Sequence, residues 1–322
     1  MYPRISDLFK DLLGFELPFP IYSFGFMVAV AVMLAAWLTQ IELDRLHRAG
    51  RIGSVRIPDK AAKGRKGTIE ASPSHLMGTV TVLAVVGGFS GAKLFHIFEN
   101  LGDFFADPFG MVFSSGGFTF YGGLIVAAVL IAWYVKRNRL PVPLFADAVA
   151  PGLMLAYGVG RIGCHLAGDG DWGIASNLAD KPSWIPAFLW SETYSRNIWG
   201  VDLSAAPVFP TPLYEFMMAA ALAGILWSLR DHPYVAGWLF SLYLVFNGVE
   251  RFLIEKIRVN NVFDFLGIQS TQAELIAVFL MALGVVGLVR FRGRREAARN
   301  GNAAAGAGSA PGSATALPEP GA

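Results

Sequence analysis

Long apolar runs alternate along this chain with shorter polar and basic stretches. Runs at 21–41, 75–97, 118–135, 144–166, 212–230, 236–256 and 272–290 each come close to the roughly twenty residues a helix needs to cross a bilayer core. The pattern predicts an all-α, polytopic membrane protein of about seven transmembrane helices. Basic residues orient it. Arg45, Arg48, Arg51, Arg56, Lys60, Lys63, Arg65 and Lys66 fall between the first two runs, whereas 98–117 contains no Lys or Arg. The positive-inside rule assigns the first stretch to the cytoplasm and the second to the outside. Alternation then requires cytoplasmic turns after the third and fifth runs, where Lys136, Arg137, Arg139 and Arg230 stand. It also requires a cytoplasmic C-terminus, and Arg290, Arg292, Arg294, Arg295 and Arg299 follow the last run. The N-terminus is therefore expected outside.

This reading divides the chain into an extracytoplasmic N-terminal segment at 1–20, a transmembrane domain at 21–291 and a disordered cytoplasmic tail at 292–322. The tail is rich in Ala, Gly, Ser and Pro and cannot bury enough apolar surface to fold alone. Within the domain, a basic cytoplasmic loop spans 42–74 and an extracytoplasmic loop spans 168–211. The latter carries Trp172, Trp184, Trp190 and Trp199, which suit either anchoring at the headgroup level or a lid over a site. Residues 1–20 mix charged and apolar positions, so no cleaved signal peptide is expected.

Composition agrees with burial in lipid, at 54% hydrophobic and 16% charged residues over 322 positions. A formal charge of +2 gives no reason to expect a nucleic-acid partner. Cys164 is the only cysteine, which excludes an intrachain disulfide and a cysteine-based metal cluster. The five histidines are scattered, and Asp169 with Asp171 makes a thin ligand set, so neither metal nor cofactor is expected.

Charge inside the predicted helices is the informative exception. An ionised side chain at the centre of a membrane helix costs about 3 kcal/mol even on the lenient insertion scale, so each needs a partner, a cavity or a function. Arg161 lies toward the outer end of the fourth run, among Gly158, Gly160 and Gly163; Arg251 lies toward the outer end of the sixth. Arg251 precedes Glu255 and Arg258 at helical spacing, so the three share a face and can form an ion-paired row. Two readings stay open for the arginines. They are structural ion pairs, with Glu250, Glu255 or Asp147 as partners, or they clamp a phosphate, whose oxygens suit guanidinium forks at headgroup depth. Further groups fall on the same outer side: Tyr121 at the start of the third helix, Tyr214 and Glu215 at the start of the fifth, Asp169 and Asp171 after the fourth, and His165 one turn past Arg161. Singly, Tyr121 fits an interfacial aromatic, His165 a packed residue and Cys164 an inert buried thiol. Their collection at one end points to a site.

The blocks that carry these residues resemble the bacterial prolipoprotein diacylglyceryl transferases from Ile21 to about Arg290. They are Tyr-Gly-Gly-Leu at 121–124, Gly-Arg-Ile-Gly at 160–163 with Gly-Asp-Gly-Asp-Trp-Gly at 168–173, Pro-Thr-Pro-Leu-Tyr-Glu at 210–215, and Glu-Arg-Phe-Leu-Ile-Glu at 250–255. The resemblance implies an enzyme of the bacterial cytoplasmic (inner) membrane, its catalytic domain the seven helices of 21–291. It would transfer a diacylglyceryl group from phosphatidylglycerol to the lipobox cysteine of lipoprotein precursors, releasing glycerol phosphate. Arg161 and Arg251 correspond to the family's two arginines and would hold and neutralise the phosphate, with Gly122, Gly123, Tyr214 and Glu255 completing the lipid site. The sequence departs from the common pattern at Tyr121, where many members have His, at Cys164, where Asn is usual, and at Phe24, where Tyr is frequent. The acidic continuation is one residue longer and the loop at 42–74 is expanded. His165 or Asp169 is then the expected proton acceptor, with Tyr121 positioning lipid. Two alternatives stand beside this: a catalytically inactive relative that binds anionic lipid or precursor, and a small-solute transporter.

Overall fold

The computed structural model describes residues 2–15, 18–58, 67–114, 116–260, 263–265 and 268–293. Lys60, Lys63, Arg65 and Lys66 of the basic loop lie outside the described residues, as does the expected disordered tail beyond Gly293. The helices are α1 (Ile5–Leu13), α2 (Ser23–Arg48), α3 (Met77–Glu99), α4 (Leu101–Ala106), α5 (Pro108–Phe113), α6 (Phe120–Arg137), α7 (Val142–Ala167), α8 (Thr211–Ser228), α9 (Trp238–Glu255) and α10 (Gln272–Arg290). Two antiparallel hairpins accompany them, β1 (Val55–Pro58) with β2 (Thr68–Ala71) and β3 (Phe263–Phe265) with β4 (Ile268–Ser270).

Each apolar run corresponds to one helix. Among the described residues, six segments are long and apolar enough to cross a membrane: Ser23–Arg48, Pro73–Glu99, Phe120–Arg137, Val142–Ala167, Thr211–Asp231 and Gln272–Arg290. The remaining run forms α9, whose eighteen residues include Glu250, Arg251 and Glu255. These charges keep it out of that group on composition. The basic loop is more ordered than its charge suggests, because α2 continues to Arg48 and β1–β2 follows. The N-terminal segment holds α1, fastened where the Ile5 N–H donates to the Ile21 carbonyl at 2.8 Å. The short helices α4 and α5 in 98–117 leave no signal in the apolar pattern.

The helix ends have identifiable causes. Helix α7 stops at Gly168, whose left-handed backbone (φ 61°) returns its N–H to the Cys164 carbonyl. Helix α10 opens with a reciprocal capping box between Thr271 and Glu274. Helix α9 opens after Gly237, and the Asp147 carboxylate on α7 accepts the N–H groups of Gly237 at 2.7 Å and Phe240 at 2.8 Å. Asp147 is thus not a partner for the arginines: it satisfies helix-start donors that would otherwise be buried unpaired.

Helix α7 is central, packing on α2, α8 and α9, while α9 pairs with α10 and α3 with α6. Small residues permit the close approaches. A Cβ at Gly158 would come within 2.9 Å of Ala219 on α8, and one at Gly163 within 3.0 Å of Met27 on α2. Met154, Ala219, Ala223, Leu226 and Leu239 form the apolar core between α7, α8 and α9. Outward-facing Trp37, Phe89, Trp133, Phe279 and Val286 are more than half exposed, a pattern explained by lipid around the bundle.

Candidate functional site

Helix α7 brings Arg161 to within two turns of its end, α8 begins with Thr211 and soon reaches Glu215, and α9 carries Glu250, Arg251 and Glu255 at its finish. Because the three helices pack together, these termini meet. Glu215 is wholly buried and stands at the centre. Its Oε2 lies 3.0 Å from Arg161 Nε. Its Oε1 accepts from Arg251 Nη1 and from the Tyr157 hydroxyl, both at 3.2 Å, and lies 3.5 Å from Arg258 Nη1. Asp171, in the loop after α7, bridges two of the same arginines: Oδ2 to Arg161 and Oδ1 to Arg258. Arg251 also reaches Glu255 at 3.1 Å, and Glu255 accepts from Asn260 at 2.6 Å. The row expected along α9 is therefore half right. Arg251 and Glu255 pair, but Arg258 lies beyond the helix and turns to Asp171 and Glu215.

Backbone hydrogen bonds hold the loop against this cluster. Gly173 N–H donates to Phe209 at 2.9 Å, Ile174 N–H to Ile257 at 2.8 Å, and the Thr211 hydroxyl to the Asp171 carbonyl at 2.6 Å. Gly173 also forms an isolated bridge with Arg258, and a Cβ there would meet the Ile257 carbonyl at 2.7 Å. Burial alone would push the Asp171 carboxyl up, but the guanidinium groups of Arg161 and Arg258 hold it below the usual carboxylate range. Asp169 moves the other way, raised by burial and by the negative charge of Asp171. Burial disfavours charge on Arg258, which Asp171 and Glu215 more than offset. Glu250 is only 1% exposed, and its carboxylate oxygens have no hydrogen-bond partner among the described residues; the hydroxyl of its neighbour Tyr157 goes to Glu215 instead.

The remaining residues singled out from the sequence separate into two groups. Tyr121 begins α6 close enough to Arg251 and Glu255 for their charges to act on its hydroxyl. Asp169 lies beside the cluster, where one donor atom each from Cys164, Asp169 and Asp171 fall within 4.8 Å of one another. Those three could hold a cation by distance, but both Asp171 oxygens already face guanidinium groups. His165, Tyr214, Gly122 and Gly123 do not join. His165 Nδ1 is 3.2 Å from the hydroxyl of Tyr194 in the long loop. Tyr214 donates to the Leu189 carbonyl at 2.5 Å and lines an apolar cavity of about 470 Å³ with Trp184, Trp190 and Ile257. Gly122 and Gly123 face α3, where added Cβ atoms would meet the Gly91 carbonyl at 2.7 Å and the Gly88 carbonyl at 2.6 Å. Of the loop tryptophans, Trp172 and Trp190 pack on Tyr194 and Phe209, whereas Trp184 and Trp199 stay exposed.

Sequence reasoning missed Glu215 as the shared counter-charge and Tyr157 altogether. A carboxylate entering an apolar helix signals a need for cations, which pointed to Glu215; Tyr157, one turn before Arg161, carries no such mark.

A helical membrane protein whose partly buried arginines and buried carboxylates converge at one end of the bundle is a polytopic protein with a polar site built into its transmembrane domain. The family model described as prolipoprotein diacylglyceryl transferase matches residues 12–290, and the chain belongs to that family. Among its relatives is a phosphatidylglycerol–prolipoprotein diacylglyceryl transferase 2 of Streptomyces coelicolor, 30% identical over 290 residues that cover 88% of this chain and 80% of the relative. The transferase of Leptospira interrogans is 26% identical over 283 residues, covering 80% and 77%. The transferase 2 of Clostridium perfringens is 26% identical over 291 residues, covering 89% and 98%.

Proposed function

We propose that this protein transfers the diacylglyceryl group of phosphatidylglycerol to the lipobox cysteine thiol of lipoprotein precursors in the bacterial inner membrane. In this reading the seven long helices all cross the bilayer, with the N-terminus outside and the C-terminus in the cytoplasm. The observation that carries it is the meeting of Arg161 and Arg251 on one buried carboxylate, Glu215, at one end of the bundle. Guanidinium groups at that depth neutralise a phosphodiester and stabilise the charge that builds on it as it leaves.

The chemistry is a displacement at carbon. The thiol passes its proton to a base, and sulfur attacks the glyceryl carbon esterified to phosphate. The C–O bond breaks, and glycerol phosphate departs with its electron pair. Asp169 suits the base better than His165. It lies beside Asp171 and Cys164 with a raised affinity for protons, which brings it nearer to a thiol, while His165 is engaged with Tyr194. Tyr121 is left to position lipid. Neither the inactive relative nor the transporter gains support from the relatives named above, all of which carry the transferase's name.

The test is a transfer assay in liposomes with phosphatidylglycerol and a lipobox peptide, read as the mass of the thioether product. Product is expected from the wild type and not from Arg161→Ala or Arg251→Ala. Lipid and peptide binding without product in the wild type would replace this reading with the inactive relative and make Tyr121→His the next variant. Product from a His165→Ala, Asp169→Ala double variant would remove both candidate bases.

A further inference from the structure

Each arginine of the cluster is already neutralised by the protein itself. Arg161 faces Asp171 and Glu215, Arg251 faces Glu215 and Glu255, and Arg258 faces Asp171 and Glu215. A phosphate entering as the anion these groups hold must take the place of one carboxylate. Glu215 has no exposed surface, and its oxygens are shared among three guanidinium groups and Tyr157. The Glu255 side chain is equally shielded and tied to Asn260. Asp171 differs from both. Its side chain is 28% exposed, and it sits in a loop rather than on a helix, after glycines with left-handed backbone at 168 and 170.

Resting on the transferase reading, we infer that Asp171 is the resident occupant of the phosphate seat, a carboxylate that the lipid phosphate displaces from Arg161 and Arg258 when it binds. The stereochemistry matches. Asp171 offers one oxygen to each guanidinium and carries a single negative charge. A phosphodiester likewise presents two unesterified oxygens and one negative charge, to which guanidinium forks bind readily. The exchange needs only a side-chain rotation. The Asp171 carbonyl is held by Thr211 and the Gly173 N–H by Phe209, so the backbone on both sides of the carboxylate stays in place. Without lipid, Asp171 keeps two like charges apart and their forks oriented; with lipid, it competes. Asp171 is thus a positioning and affinity-setting residue for the lipid.

The experiment compares wild type with Asp171→Asn and Asp171→Glu in liposomes. It measures the apparent KM for phosphatidylglycerol and, independently of turnover, the dissociation constant of glycerol phosphate. Removing the competing charge should lower both in Asp171→Asn by roughly tenfold, the difference between a charge-assisted and a neutral contact. Asp171→Glu, which keeps the charge, should return both toward wild type. A residue that merely supports the arginines predicts the opposite sign, so higher constants in Asp171→Asn would overturn the inference. So would failure of both variants to fold, which would assign Asp171 to the scaffold. If the wild type binds glycerol phosphate in this Asp171-sensitive way yet makes no thioether, the transferase reading fails and the occupancy of the seat stands.

Discussion

Helix α7 carries shielded ionisable groups near both of its ends, Asp147 buried and Arg161 partly so, and they are used differently. Near its start, Asp147 accepts two backbone N–H groups from the beginning of α9. Roughly 20 Å further along the helix, Arg161 enters a cluster in which Glu215 is surrounded by side-chain donors: three guanidinium groups and a phenol. The two backbone donors to Asp147 belong to the start of a helix, and the ring of buried His232 lies 3.8 Å from the same carboxylate. The partners of Glu215 are mainly side-chain cations, which can exchange one anionic partner for another. Buried charge alone therefore does not mark a site; what sets the second end apart is a carboxylate shared by several guanidinium groups instead of one that caps a helix start.

The contrast can be broken most severely at Glu215. Glu215→Ala leaves three partly buried guanidinium groups short of their shared, wholly buried partner and should cost about 3 kcal/mol, read as a fall in melting temperature in detergent, with transfer abolished. Arg161→Lys is the next largest. An ammonium cannot reproduce the fork that serves Asp171 and Glu215 together, so turnover should drop about a hundredfold while the melting temperature moves less than in Glu215→Ala. Asp147→Ala should reverse that ratio, losing about 2 kcal/mol of stability with the lost cap but keeping its turnover per folded molecule. Equal damage to turnover and stability at both ends of α7 would collapse the distinction.

The smallest effect is in pH. Asp169 is raised, so folding favours its protonated form. Its contribution to stability is present below the ordinary carboxylate value of about 4 and is lost as pH climbs through the raised value. Asp171 is lowered, so its contribution is present above the ordinary value and lost as pH falls through the lowered one. Melting curves across pH should therefore show wild type losing stability relative to Asp169→Asn as pH rises from about 4, and losing it relative to Asp171→Asn on acidification. The same slope in both comparisons would contradict the assigned directions.

Much of this was legible in the sequence, for reasons that also set its limits. Apolar run length locates the seven long helices but not the short α1, α4 and α5, and the cost of intramembrane charge picks out Arg161 and Arg251 before any contact is known. Partners are another matter. Asp171 meets Arg258 across 87 positions and Arg251 meets Glu215 across 36, distances at which helical periodicity carries no information. Hence Asp147 could be suggested as an arginine partner when it is a cap. The resemblance places Gly122 and Gly123 at the lipid site, and in the structure both pack closely against the backbone of α3, a contact that no sequence spacing announces. The eighteen residues of α9 are the instructive overlap, since the charges that weaken it as an apolar span are those that build the site.

The cluster also has an order in time. Arg161 carries Asp171 only ten positions behind it, so a chain emerging during synthesis can neutralise that arginine before α8 exists. Helix α8 then delivers Glu215 to a guanidinium already waiting, and α9 arrives last with Arg251 and Glu255 as a ready-made pair. Arg258 closes the assembly by joining both carboxylates supplied earlier. In chain order Arg161 is followed by its partner Asp171 before α8 begins, and a chain that stops short of Trp238 holds Glu215 with a single arginine of the three.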